Sequence, residues 1–264
     1  MKNTIHLLLF LTIFQTSFTQ QNIESKFDLP EGFYRPYNDD FSKFLRTFPF
    51  KAENIVNYYN GNSKPNSNIY AAVFDYNIGN KNLHQCADAS IYLNARFKFD
   101  NSKFEEISYS FTNGYLFKYT DYLNGDTIKI YKDSRGYDVV KPESGQKREN
   151  NYTTFFKYLE QLWIYAGTIS VENIDTSKNN ISEIRPGDLF VQGGSPGHSV
   201  TVVDVIKNNL GKVLFMLAQS YMPAQEKHIL LNPKTGYVWY EVGESIDFQT
   251  PEWTFSYSDL RRFN

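Results

Sequence analysis

The chain has 264 residues, 41% of them hydrophobic and 21% charged, a balance that supports a buried core and argues against disorder. Its formal net charge of −2 argues against a general nucleic-acid surface. Its one cysteine, Cys86, excludes an intrachain disulfide.

Lys2 precedes an apolar run from Ile5 to Phe14, and small or polar residues follow at Thr16, Ser17 and Thr19. This is the pattern of a secretory signal peptide over residues 1–20, cleaved near Thr19 to Gln21. The run is shorter than the roughly 20 apolar residues of a membrane span, and no later segment is long and apolar enough to cross. The expectation is an exported protein, periplasmic or extracellular, with no membrane span after cleavage. Residues 21–264 are expected to form one domain with N- and C-terminal extensions.

Residues 22–38 form a polar lead broken by Pro30, Gly32 and Pro36. Asp39 or Asp40 is placed to cap a short helix carrying Phe41, Phe44, Leu45 and Phe48, which Pro49 ends. Strands are predicted at Ile55–Tyr59 and Ile69–Tyr76. Residues 80–99 read as a helix capped by Asn82, with Cys86, Ala89, Leu93 and Phe97 on one face. The alternating Ile107, Tyr109, Phe111 and Tyr115, Phe117, Tyr119 flank Asn113-Gly114, a hairpin signature. A strand is predicted at Thr127–Tyr131, and the charged stretch Lys132–Asn150 reads as a solvated loop. Asn151–Ala166 is the second long helix, with Phe155, Leu159, Leu162 and Ala166 on one face. Thr168–Glu183 connects to Arg-Pro-Gly-Asp (Arg185 to Asp188), a turn. Leu189 to Val191 is strand-like, and Gln192 to Gly197 is a Gly/Pro loop. His198 opens a β-branched strand through Val205, Asn208 to Gly211 form a hairpin loop, and Val213–Gln219 is the return strand. Shorter strands follow at His228–Leu231 and Tyr237–Glu241, and Thr250 to Trp253 is loop-like.

Several chemistries lack their residues. There is no HExxH, CxxC, GxSxG, Walker loop or GxGxxG. His84 and Cys86 are two apart on the predicted helix and point to different sides, so no metal centre or cofactor site is predicted. What remains is thiol, imidazole and orienting group. Cys86 lies near a helix N-terminus, whose partial positive charge lowers a thiol pKa; the same position suits a buried cysteine that only packs. His198 stands at the mouth of the hairpin. If Ile206 faces Val213, His198 faces roughly Tyr221, and Gln219 or Ser220 lies within a residue or two. Gln219 can orient the imidazole through its side-chain oxygen. Asp204, six residues along the His198 strand, is about 20 Å away at strand rise and is a poor orienter. Gln85 either donates to an oxyanion or is a helix surface residue. His84 reads as a surface or loop residue and His228 as structural. The candidate catalytic set is Cys86, His198 and Gln219, with Gln85, Ser220 and Tyr221 as candidate substrate contacts.

The order of Cys86 on a helix, Pro186-Gly187-Asp188-Leu189, Gly197-His198 and then Gln219 resembles the NlpC-type, papain-like cysteine amidohydrolases. That resemblance implies an α+β fold in which a Cys-bearing helix packs on an antiparallel β-sheet. It also implies hydrolysis of an amide bond, with cell-wall peptide as a substrate by analogy. NlpC-type enzymes commonly carry Asp just before the nucleophile; here Gln85 precedes Cys86 and Asp88 follows it. The segments QCADA (Gln85 to Ala89), PGHSV (Pro196 to Val200), AQSYMPAQ (Ala218 to Gln225) and TPEW (Thr250 to Trp253) resemble, over most of the chain, an uncharacterised family of exported bacterial proteins, domain of unknown function 4846. No activity comes with that resemblance. The alternative expectation is a non-catalytic envelope binding or assembly protein on the same scaffold, with Cys86 buried and inert.

Overall fold

The computed structural model describes residues 20–136, 138–243 and 245–264; the expected signal peptide lies outside them apart from Gln20. The architecture is α+β, built on one large antiparallel sheet. Its strand order is Tyr70–Val73, His228–Leu230, Val213–Gln219, His198–Asn208, Leu189–Gln192, Leu260–Phe263 and Thr176–Lys178. Phe33–Tyr34 adds to the far end of the His198 strand, and Trp239–Glu241 adds to the Val213 strand.

The long central strands alternate, so each face of the sheet carries its own core. Leu189, Val191, Val203, Met216 and Ala218 face one way. They pack with Ala87, Ile91 and Leu93 of the helix Cys86–Asp100 and with Phe155, Leu159 and Leu162 of the helix Tyr152–Tyr165. Phe190, Val200, Val202, Phe215 and Leu217 face the other way, against Tyr240, Phe248, Phe255 and Leu260. Burial on both faces explains why His198 to Val205 reads as a nearly continuous β-branched run.

Caps set the helix starts. Asp39 accepts from the Ser42 N–H at 3.0 Å and opens the helix Asp40–Thr47. Asn151 accepts from the Thr154 N–H at 2.9 Å and opens Tyr152–Tyr165. The Cys86 helix differs from its prediction. It begins at Cys86 itself, with Gln85 as N-cap, and the Asp88 carboxylate reaches back to accept from the Gln85 N–H at 3.0 Å. Asn82 does not cap it; its side chain accepts from the Ala224 N–H at 2.7 Å, across the chain.

Other segments depart from expectation for reasons of pairing. Ile55–Tyr59 forms only isolated bridges, Asn57 with Ser63 and Tyr58 with Gln225. Within the stretch read as a solvated loop lies the strand Asp138–Glu143, which pairs with Thr127–Lys132. The polar lead contains a short helix, Ile23–Lys26, and the Phe33–Tyr34 strand. The segment read as a connector carries the Thr176–Lys178 edge strand.

The Arg-Pro-Gly-Asp turn is built from backbone. Gly187 N–H donates to the Val202 carbonyl and the Val202 N–H donates to the Asp188 carbonyl, each at 2.8 Å. Gly187 has φ +94°, and a Cβ there would lie 2.5 Å from the Phe41 ring. The buried Asp188 carboxylate binds Arg262 at 2.6 and 2.9 Å, which ties the turn to the C-terminal strand.

Candidate active site

The His198 hairpin positions the imidazole and its partner. Near the hairpin loop, Leu214 pairs with Ile206 and Phe215 with Val205, one residue off the register assumed from the sequence. A bulge between Met216 and Leu217 then shifts the pairing, so that Leu217 faces Val202 and Ala218 faces Thr201. Beyond the bulge the register is the one the sequence arithmetic used. Continued by one step, it places Gln219 opposite Val200, diagonal to His198 on the same face.

The two side chains meet there. His198 Nε2 lies 2.9 Å from Gln219 Oε1. Because the amide oxygen only accepts, Nε2 carries the proton and Nδ1 carries the lone pair. Nδ1 is buried without a partner. Three rings surround this imidazole: Tyr221 edge-on at 4.8 Å, Trp253 at 5.3 Å and Phe255 stacked at 5.8 Å. Burial pushes the His198 pKa down to about 4, against the raising effect of the Gln219 hydrogen bond. His198 is therefore a neutral imidazole at physiological pH.

Cys86 reaches the same end of the sheet from the helix side. The ladder between the His198 and Gln219 strands ends at Thr201 and Ala218, and the backbone of Ser199 is near enough to the Cys86 thiol to act on its pKa, in the lowering direction. Cys86 is 5% exposed. It borders a cleft of about 580 Å³ lined by Gln85, Asp88, Trp163, Thr168, the Gly194–Gly197 loop and Met222. Burial, with the Asp88 carboxyl adding to it, pushes the Cys86 pKa up to about 11, and the helix-start N–H groups only partly offset this. Of the two readings of a cysteine at this position, desolvation favours the buried thiol over the acidic one. Among the described residues, no hydrogen bond joins Cys86 to His198.

The other predicted site residues separate by role. Gln85 is half-buried on the cleft wall, with its amide donating to Asn82 Oδ1 at 3.3 Å. Ser220 is fully buried, with its hydroxyl 3.0 Å from the His84 carbonyl and 2.7 Å from the Gln225 carbonyl, so it fastens the lead-in to Cys86. Tyr221 is half-buried against His198. His84 is not a surface residue. It is fully buried, 3.2 Å from the Tyr76 hydroxyl and edge-on to Trp163. His228 is fully buried, with Nδ1 2.8 Å from the Glu226 carbonyl. Asp204 binds Arg35 at 2.8 Å, remote from His198 as its spacing required. No described cluster of three His, Cys, Asp or Glu is arranged to hold a metal ion.

Three residues of the site were missed. Glu252 accepts from Gln219 Nε2 at 2.6 Å. Lys64 binds Glu252 at 2.7 Å. Lys227 is fully buried, donating to Thr201 Oγ1 at 2.7 Å and to the Ala89 carbonyl at 3.4 Å. Thr201 continues through Ser90 to Ser199, at 3.2 and 3.1 Å. Only the TPEW segment carried a signal for Glu252; a lysine between Glu226 and His228 reads as surface charge.

The family model for domain of unknown function 4846 matches residues 23–262. The chain belongs to that family. The match takes in Lys64, Cys86, His198, Gln219, Lys227 and Glu252 alike. No curated protein and no solved structure matches the chain. No described helix is long and apolar enough to cross a membrane.

Proposed function

We propose that the protein is an exported cysteine amidohydrolase or peptidase, acting in the periplasm or outside the cell on an amide bond, with peptide of the cell wall as the substrate class. The observation that carries this reading is the His198–Gln219 hydrogen bond. It holds the imidazole in the tautomer whose free Nδ1 can serve as a base, at the sheet end where the backbone of Ser199 acts on the Cys86 thiol.

In this reaction Nδ1 takes the thiol proton as Cys86 Sγ attacks the amide carbonyl. The C–N bond breaks, the proton passes from His198 to the leaving amine, and a thioester remains. Water, deprotonated by the same Nδ1, then releases the acid and restores the thiol. N–H groups at the start of the Cys86 helix are the donors nearest the developing oxyanion. The resting pair is neutral, so the proton moves as the sulfur attacks the carbonyl.

A second reading, a non-catalytic envelope binding or assembly protein, is favoured by the buried thiol and its raised pKa. Thiol labelling with a small electrophile across pH separates the two. An unaided thiol of pKa near 11 carries only about one thiolate in 10⁴ at pH 7, and its labelling climbs about tenfold per pH unit. Labelling that is fast near neutral pH, and is lost in His198→Ala, supports the hydrolase. No labelling of the folded protein supports the inert thiol.

A further inference from the structure

The amide of Gln219 poses a problem of orientation. Its oxygen and nitrogen ends are nearly equal in size, so packing alone does not decide which one faces His198. The neighbouring groups do. Gln219 Nε2 lies 2.6 Å from Glu252 Oε2, and an ionised carboxylate accepts but cannot donate. The nitrogen end must therefore face Glu252, and the oxygen end must face His198. Glu252 is itself held. Lys64 Nζ reaches its two oxygens at 2.8 and 2.7 Å and also donates to Gln225 Oε1 at 3.0 Å.

We propose that Glu252, anchored by Lys64, is a positioning residue that fixes the Gln219 amide and, through it, the protonated nitrogen of His198. The chain of bonds has one consistent polarity: Lys64 donates to Glu252, Gln219 Nε2 donates to Glu252, and His198 Nε2 donates to Gln219 Oε1. Reversing the amide would offer a donor to Nε2, move the ring proton to Nδ1 and abolish the lone pair that a base needs. Lys64 has a second effect. Its charge balances the carboxylate, so that the amide partner of His198 does not carry an unopposed negative charge behind it. Gln219 and Lys64 are buried (0% and 7% exposed) and Glu252 is half-buried.

This inference rests on the proposed role of His198, but its test does not need catalysis. The full chain is labelled with ¹⁵N-histidine, and the His198 ring nitrogens are assigned by their loss in His198→Ala. The wild type is expected to show the Nε2–H tautomer above pH 6. In Glu252→Ala an Nδ1–H population is expected to appear, and labelling of Cys86 by iodoacetamide at pH 7.5 to slow by about tenfold or more. Lys64→Met leaves the carboxylate in place and is read whether or not Glu252→Ala folds. It is expected to keep the Nε2–H tautomer and to raise the His198 pKa by about one unit. A wild-type tautomer in Glu252→Ala, or a wild-type His198 titration in Lys64→Met, overturns the proposal. The two readings separate cleanly. A tautomer change without any Cys86 labelling in the wild type sinks the hydrolase and leaves Glu252 in its role. Labelling that depends on His198 with no tautomer change in Glu252→Ala does the reverse.

Discussion

Lys227 shows how one side chain is governed by its surroundings. Its ammonium is fully buried, and no carboxylate partners it among the described residues. Burial pushes its pKa down to about 7, with Cys86 as the acidic group that opposes the shift. The folded pKa lies below the unfolded value of 10.5. Between pH 7 and 10.5 the unfolded chain therefore holds a proton the folded chain does not, and stability rises with pH across that window. Below pH 7 the charge is buried at full cost. Lys227→Met keeps the length of the side chain and removes the charge. It is expected to raise the melting temperature, and by more at pH 6 than at pH 9; an equal gain at both values would show that the charge is not the cause.

At the scale of elements, the turn at Arg185 to Asp188 links three parts of the fold: the His198 strand through Val202, the helix Asp40–Thr47 through Phe41, and the C-terminal strand through Arg262. Gly187→Ala meets two obstacles there. The left-handed backbone costs about 1–2 kcal/mol for a residue with a Cβ, and that Cβ would also press 2.5 Å from the Phe41 ring. Urea unfolding is expected to show a loss above 1 kcal/mol, with Gly211→Ala, at φ +83° but in open space, losing less. The bulge in the hairpin belongs to this scale too. It leaves Val203 without a partner on the facing strand and brings Gln219 back into diagonal contact with His198.

The whole molecule is unevenly secured. The His198–Asn208 and Val213–Gln219 strands are buried on both faces and sit in the middle of the large sheet. The hairpin of Thr127–Lys132 and Asp138–Glu143 stands apart from that sheet and meets the core mainly through Ile128, Ile130 and Val140. A two-stranded hairpin is marginal by itself. Amide hydrogen exchange is expected to be slowest in the central strands, near the global unfolding free energy, and faster by orders of magnitude in this hairpin. Equal protection in both would show that the hairpin opens only with the whole fold.

Local pattern determined much of this protein. The cap at Asp39, the helix that starts at Asn151, the Asn113-Gly114 hairpin and the strands from Leu189 to Gln219 were legible because periodicity, capping and turn chemistry act between residues a few positions apart. The pairing of His198 with Gln219 was legible for the same reason, since one hairpin joins them. Residues that meet only through long-range packing were not. The strand Leu260–Phe263 forms because it fits between Leu189–Gln192 and Thr176–Lys178. Lys64 and Glu252 are 188 residues apart, and nothing in either neighbourhood marks them as partners. The two readings of Cys86, acidic thiol or buried packing residue, stayed open in the sequence because a helix start is a local feature while desolvation depends on everything packed around it. Tertiary structure alone decided which charges are buried, which amide end faces His198, and which residue holds it there.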